Sequence, residues 1–192
     1  MSSVQPATGQ VPPRSRARRV VRTALVLGGV TLLTAVTWAG YRLWNGAPYP
    51  EVDPHVVGMR LREEAQRVHE DLALPGSAAE EPYQVDTGAC YYRGLRGFAH
   101  IDRSRRDVYY FDLDTRTTGV PQAVARTGEE RVRSRLSQQG WKLVSENITS
   151  MGFRFENPDT GDTVDVGWYE PTGTLAVSVF SQCGKVPAGF AG

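Results

Sequence analysis

The chain is poor in the residue types that metal sites and most catalytic sites use. Its 192 residues include two cysteines, three histidines and two lysines, whereas arginine occurs 20 times. The histidines lack zinc-ligand spacing, and H-E-x-x-H, G-x-S-x-G, S-x-x-K and G-x-x-x-x-G-K-S/T motifs are all absent from the sequence. The sequence therefore predicts no metal and no cofactor, and it favours a protein that is not an enzyme.

The preference for arginine over lysine is typical of a GC-rich coding sequence. Overall, the usage of Arg, Ala, Gly and Val resembles that of exported proteins of high-GC Gram-positive bacteria, a resemblance of composition that implies no activity. Residues 1–44 carry six arginines and no acid, giving +6, whereas residues 45–192 carry 14 arginines, two lysines and 21 acids, giving −5. Because phosphate binding needs a net basic face, the acidic body argues against nucleic acid as a partner.

One uncharged run, the nineteen residues from Thr23 to Tyr41, is long enough to cross a bilayer. As a helix it spans roughly 30 Å. Five arginines precede it, and aromatic residues cluster at its far end: Trp38, Tyr41 and Trp44. By the positive-inside rule, the run predicts a single-pass signal-anchor in the lipid bilayer of a bacterial cell envelope, with the N-terminus cytoplasmic and the body outside. The alternative is a signal peptide cleaved near Ala39, which would release a secreted body.

The composition divides the chain into five predicted regions. These are a basic disordered cytoplasmic stub (1–22), a transmembrane helix (23–41), a Pro-rich spacer (42–54), an extracytoplasmic α+β domain (55–186) and a flexible tail (187–192). Since the folded part has about 140 residues, we expect one domain with one core.

Within the body, hydrophobic periodicity predicts two helices and a set of strands. Asp53-Pro54 is typical of a helix N-terminus, and Pro75-Gly76 of its end. A capping box at Thr127 predicts a second helix that ends at Gly140. Val132 and Leu136 are predicted to face inward, and Arg131, Arg133 and Arg135 mostly outward. Extended segments are predicted between residues 85 and 114. Four further strands are predicted from period-two alternation: 141–148, 151–156, 163–169 and 174–182. The alternation predicts a buried face formed by Phe153, Phe155, Val164, Val166, Trp168, Leu175, Val177 and Val179. The resulting fold class is α+β, with two helices packed on an antiparallel β-meander.

The two cysteines, Cys90 and Cys183, lie 93 positions apart in the part predicted to be exported. This spacing matches neither a redox C-x-x-C motif nor a metal knuckle. Because thiols oxidise outside the cytoplasm, we predict a disulfide, which would stabilise the fold by on the order of 4–5 kcal/mol. Two free buried thiols are the alternative.

Two D-T-G sequences invite comparison with aspartic proteases, which use such turns to bring two carboxylates together. They begin at Asp86 and Asp159. The first resembles the family motif locally, but the residues before Val85 are polar, and the second lies in an evident hairpin turn. Turn chemistry is therefore the simpler interpretation. A small exported carboxylate-dependent hydrolase centred on Asp86 stays as an alternative function.

A dense group of arginines interleaved with aromatic residues is the strongest candidate ligand site. Its residues are Tyr91, Tyr92, Arg93, Arg96, Arg103, Arg105 and Arg106. Gly94 and Gly97 predict that the segment is a loop. Guanidinium groups bind phosphate or carboxylate groups in a forked geometry, which suits an anionic wall polymer. The alternative is a solvated loop whose arginines pair with Asp102 and Asp107.

We therefore expect a membrane-anchored extracytoplasmic module that binds or scaffolds a ligand whose identity the sequence does not give, with an anionic cell-surface polymer as the candidate. A third hypothesis is a regulatory partner of another membrane protein, because the small residues Gly28-Gly29 and Ala39-Gly40 are suited to helix packing within the bilayer.

Overall fold

A computed structural model of the protein describes residues 33–74, 84–101, 103–146 and 152–190. The chain forms two compact units, Met1–Ala47 with Arg93–Arg96, and Pro48–Tyr92 with Gly97–Gly192. The predicted stub (1–22) and the first part of the predicted transmembrane helix (23–41) lie outside the described residues.

In the first unit, residues 33–45 form helix α1. The helix ends at Gly46, which has a positive φ of 70° and whose N–H donates to the carbonyl oxygen of Arg42 at 2.7 Å. Near this end, the Arg42 guanidinium lies 4.9 Å from the centroid of the Trp38 ring. None of the described helices is both long enough and apolar enough to span a membrane.

The second unit contains one seven-stranded sheet in which all neighbouring strands run antiparallel. Its strands are β1 (Asp86–Tyr91), β2 (Ser104–Thr117), β3 (Lys142–Glu146), β4 (Gly152–Glu156), β5 (Thr163–Tyr169), β6 (Thr174–Phe180) and β7 (Gly184–Lys185). The order across the sheet is β1-β2-β6-β5-β4-β3, and β7 pairs with one end of β2. The predicted four-stranded meander is thus confirmed as β3 to β6, and β2 extends it beyond β6.

Helix α2 (Pro54–Leu72) begins where the sequence predicted. The Asp53 side chain caps it by accepting a hydrogen bond of 2.9 Å from the backbone N–H of His55, and proline occupies the first turn. The helix ends at Ala73, a left-handed residue with φ 45°. Pro75-Gly76, the predicted stop signal, lies outside the described residues.

Helix α4 (Gln122–Gln138) starts five residues before the predicted capping box, so the predicted start at Thr127 was wrong. Thr127 lies inside the helix, and its hydroxyl donates to the Ala123 carbonyl oxygen at 3.0 Å. The start is set by tertiary contacts of Val120, whose N–H donates to Gly173 and whose carbonyl accepts from the buried indole of Trp168. The predicted end before Gly140 is confirmed.

Both long helices cover one face of the sheet, which makes the domain a two-layer α+β structure. Helix α2 packs on β2 and β6, and α4 packs on β3 and β5 and against α2. The core between the layers includes every residue predicted for the buried face of the meander: Phe153, Phe155, Val164, Val166, Trp168, Leu175, Val177 and Val179. Period-two alternation therefore identified the core side of these strands.

Residues on both sides of the range 55–186 contact the core of the second unit. In the predicted spacer, Val52 donates to the carbonyl oxygen of Lys185 at 2.9 Å and packs on the core. In the predicted tail, Phe190 packs edge-to-face on Phe111, with ring centroids 5.9 Å apart. Val52 and Phe190 are therefore partly buried side chains that pack against the core.

The predicted bridge between Cys90 and Cys183 is present, with Cα atoms 6.2 Å apart, and the described residues contain no free cysteine. Cys90 lies on edge strand β1, whereas Cys183 lies between β6 and β7. The covalent link therefore ties the first strand of the domain to its last segment, and these two pair with opposite sides of β2 at Tyr109.

Candidate functional site

The structure distributes the seven predicted site residues over different surroundings. Arg93 and Arg96 belong to the first unit, whereas Tyr91, Tyr92, Arg103, Arg105 and Arg106 belong to the second. The segment between them is also more regular than the predicted loop, because Leu95–Ala99 forms a short helix, α3, and β2 begins at Ser104. The prediction that the whole segment is a loop was therefore wrong.

Arg105 is engaged in a compact polar cluster of the second unit. Its guanidinium donates to both carboxylate oxygens of Asp107, at 3.0 and 2.6 Å, and lies 5.6 and 5.9 Å from the ring centroids of Tyr49 and Tyr92. The hydrogen bonds from Arg105 are the main cause that lowers the pKa of Asp107. Arg105 therefore forms the ion pair with Asp107 that the sequence analysis gave as the alternative to ligand binding.

Arg106 faces the other way, since successive residues of a strand point to opposite sides. It is exposed and lines an open groove of about 620 Å³. The remaining lining comes from the chain before α2, from β2 and from the C-terminal segment, and includes Asp53, Asp107, Lys185, Val186 and Phe190. The groove combines two cations with three carboxylates, one of which is Glu51, and with an apolar wall. Because Lys185 lies 3.8 Å from Glu51, Arg106 is the cation of the groove without a salt bridge to a described acid.

Arg103 is also exposed, and within the described part of the chain neither Arg103 nor Arg106 takes part in a salt bridge. Tyr91, at the end of β1, is 60% exposed, and its carbonyl oxygen accepts a hydrogen bond of 2.6 Å from the Tyr49 hydroxyl. Among its described residues, the second unit therefore presents two exposed guanidinium groups without a salt bridge, together with an exposed phenol ring.

In the first unit, the segment Arg93–Arg96 packs on the end of helix α1. A Cβ atom on Gly94 would lie 2.4 Å from the backbone nitrogen of Gly46 and 2.7 Å from the carbonyl oxygen of Leu43. Gly94 also has a φ of +64°, so glycine is required there for two reasons. Arg93 reaches the carbonyl oxygen of Ala47 at 3.5 Å.

The carboxylates of the two D-T-G sequences do not meet within the chain. Asp159 lies in the turn between β4 and β5, where its N–H donates to the Asn157 side chain at 2.9 Å. Asp86 lies on β1, three strand spacings or roughly 14 Å from β5. Asp86 instead pairs across the ladder with Asp112, whose pKa is raised by burial and by the charges of Asp114 and Asp86.

Sequence reasoning missed a network of charges between α2 and α4. Arg135 donates to Glu64 at 2.9 Å and also pairs with Asp71, and Arg67 holds the other oxygen of Glu64 at 2.9 Å. The side chains of Glu64 and Arg135 are only 7 and 18% exposed, so the prediction that Arg135 points outward was wrong. No local pattern links residues 71 positions apart. Because its charges pair with one another, the network fixes the two helices rather than attracting a ligand.

A second unforeseen group is Glu129, which is 5% exposed on α4 and whose Oε1 atom has no hydrogen-bond partner among the described residues. Burial raises its pKa from 4.5 to about 7, and the charges of Arg133 and Arg126 counteract only part of that rise. Within the described part of the chain, no group of three or more acidic, histidine or cysteine side chains is arranged to hold a metal ion.

Comparison with known proteins adds no relative to this description. The chain matches no protein-family model, no curated protein and no solved structure.

Proposed function

We propose that the protein is a membrane-anchored extracytoplasmic module that binds an anionic cell-surface polymer and carries out no catalysis. In this proposal, residues 23–41 cross the bilayer once, with residues 1–22 in the cytoplasm and the α+β domain outside. The observation that carries the ligand class is the pair of exposed arginines, Arg103 and Arg106, one of which lines an open groove of about 620 Å³ in an otherwise acidic domain.

The proposed location is supported by three independent features. The uncharged run has the length of a membrane span, its N-terminal flank is basic, and the body contains a disulfide, which is typical of proteins outside the cytoplasm. We expect external protease to remove residues 45–192 from intact protoplasts. Survival of the body until the cells are lysed would contradict the proposed orientation.

The proposed ligand class is supported by the chemistry of the guanidinium group, which forms charge-assisted hydrogen bonds with phosphate oxygens. Arg105 is less available to phosphate, because its guanidinium already donates two hydrogen bonds to the carboxylate of Asp107. In the proposal, the Arg105 guanidinium holds the rings of Tyr49 and Tyr92 beside β2. The next residue of that strand is Arg106, which lines the groove.

The test is retention of the full chain on immobilised poly(glycerol phosphate). We expect the double variant Arg103→Ser, Arg106→Ser to bind about fivefold more weakly, since two exposed charge contacts contribute roughly 1 kcal/mol together. The matched control is Arg116→Ser, Arg126→Ser, which removes the same charge from two other exposed positions. Added salt should weaken binding of the parent chain.

The control variant distinguishes binding at Arg103 and Arg106 from an effect of the net charge of the protein. If both double variants lose the same retention, the polymer responds to net charge and not to Arg103 and Arg106. If neither variant loses retention, the proposed ligand site is wrong.

A further inference from the structure

Another pocket of the second unit lies between α2, the end of α4 and the turn that joins β4 to β5. Its volume is about 320 Å³, at the lower end of the range of ligand-binding pockets. Leu61 of α2 and Val179 of β6 line it and are fully buried, so the pocket reaches the core. Among the described residues, none lines both this pocket and the groove of Arg106. The two are therefore separate candidate sites.

Two ion pairs form the charged part of the pocket wall. Arg60 donates from Nε and Nη2 to the two carboxylate oxygens of Asp162, at 2.5 and 2.9 Å. Arg67 donates from Nε and Nη2 to one oxygen of Glu64, at 3.1 and 2.9 Å. Because every charge is matched within the wall, the pocket has no net attraction for an ion. It offers an uncharged ligand hydrogen-bonding groups that the ion pairs hold in place.

Two side-chain amides line the pocket with their oxygen atoms already engaged. The Gln139 oxygen accepts a hydrogen bond of 3.0 Å from Arg135. The Asn157 oxygen accepts from the backbone N–H groups of Asp159 and Thr160, at 2.9 and 3.3 Å. No described residue accepts a hydrogen bond from either amide nitrogen. Since each nitrogen carries two donors, the pocket wall holds donors that are available to a ligand.

An indole ring completes the lining of the pocket. Trp141 is half-buried, packs against the core and lines the pocket, so the fold limits the movement of its ring. A flat apolar ring beside several hydrogen-bonding groups suits a pyranose, which has C–H groups on its faces and hydroxyls around its rim. Each hydroxyl both donates and accepts, so it can meet an amide donor and a carboxylate acceptor alike.

We infer that this pocket binds one uncharged sugar ring. In this complex Trp141 contacts a face of the pyranose, and the two amides and the ion pair of Arg60 bond to its hydroxyls. The inference goes beyond the proposed function, because it uses neither the anchor nor the groove of Arg106. The ligand chemistry is that of a neutral pyranose, supplied either as a free sugar or as one unit of a glycan chain.

Isothermal titration calorimetry of the full chain tests the ligand class, in a detergent without a sugar headgroup. The probes are glucose, mannose and N-acetylglucosamine, each as the free sugar and as its β-1,4-linked tetramer, with N-acetylalanine methylamide as a peptide mimic. We expect at least one sugar to bind with a dissociation constant on the order of 1 mM, which suits a ligand of about a dozen non-hydrogen atoms. We expect no binding of the peptide mimic.

The outcomes distinguish the sources of the ligand. Binding of a free sugar without its tetramer would support a free-sugar ligand, and binding of the tetramer would support a glycan chain. Binding of no sugar, or tighter binding of the peptide mimic than of every sugar, would overturn the inference.

Variants of two neighbouring glutamines test the location of the site. Gln139→Ala removes one amide from an exposed position at the end of α4 and should weaken sugar binding about fivefold, the effect of one lost hydrogen bond. Gln138→Ala is the matched control, since Gln138 is exposed and does not line the pocket; its affinity should equal that of the parent. Trp141→Ala should weaken binding at least about tenfold. Unchanged affinity of the Gln139→Ala variant, with circular dichroism showing it folded, would overturn the assignment of the sugar to this pocket.

Discussion

The buried carboxyl of Glu129 gives the protein a pH-dependent stability whose size follows from the structure. The group has a pKa of about 7 in the folded state and an ordinary value of 4.5, a difference caused mainly by burial. Between these two values the folded chain binds the proton more tightly than the unfolded chain. The stabilisation that Glu129 contributes is therefore fully present below about pH 4.5 and is lost as the pH rises through about 7.

The magnitude is the pKa difference multiplied by 1.36 kcal/mol per unit, or about 3 kcal/mol. This is a large fraction of the 5–15 kcal/mol by which folded domains are usually stable. Glu129→Gln removes the titration and keeps the shape of the side chain. We expect the variant and the parent to be similar in stability near pH 4.5, and the variant to be more stable by up to about 3 kcal/mol at pH 8.

The assay is urea unfolding of the full chain in detergent micelles at a series of pH values, followed by circular dichroism. Taking the difference between variant and parent cancels the other titrating groups. Glu130→Gln is the matched control, because Glu130 is the next residue and is exposed; its difference from the parent should not change with pH. If the Glu129→Gln difference is equally flat, Glu129 is ionised in the folded state and the argument from burial is refuted.

Two further predictions concern long-range links in the fold. The double variant Cys90→Ser, Cys183→Ser should lower the free energy of unfolding by about 4–5 kcal/mol, and an unchanged urea midpoint would show that the bridge constrains the unfolded chain little. Arg135→Met should cost about 3 kcal/mol because it leaves the buried Glu64 with one cation fewer, whereas Arg116→Met at an exposed position should cost less than about 0.5 kcal/mol. Equal losses in thermal unfolding would argue against a specific network.

Much of the fold follows from local patterns in the sequence. Asp53 followed by Pro54 predicts the start of α2 because a side-chain acceptor and a residue without an N–H both suit the first turn of a helix. Alternation from residue 152 to residue 180 predicts three strands and their buried face, since strand geometry ties side-chain direction to sequence parity. The disulfide follows from having only two cysteines in a body predicted to be exported.

The sequence shows which residues make up the candidate site, but it does not show how their side chains are arranged. A stretch rich in arginine can be seen in the sequence, but Arg105 and Arg106 separate onto opposite sides of β2 because that strand begins two residues earlier than the expected loop ends. Whether an arginine is available to a ligand depends on its neighbours. Asp107 and Tyr49 decide this for Arg105, and Tyr49 lies 56 positions away in the chain.

By itself, then, the sequence determined the α+β class, the meander and the cysteine pair, all of which depend on local periodicity or on composition. Only the tertiary structure decided where α4 begins, that Arg135 meets Glu64, and that Glu129 is buried. These features depend on which elements pack against each other. The energy of a buried charge is set by partners distant in sequence, and no local pattern of residues records them.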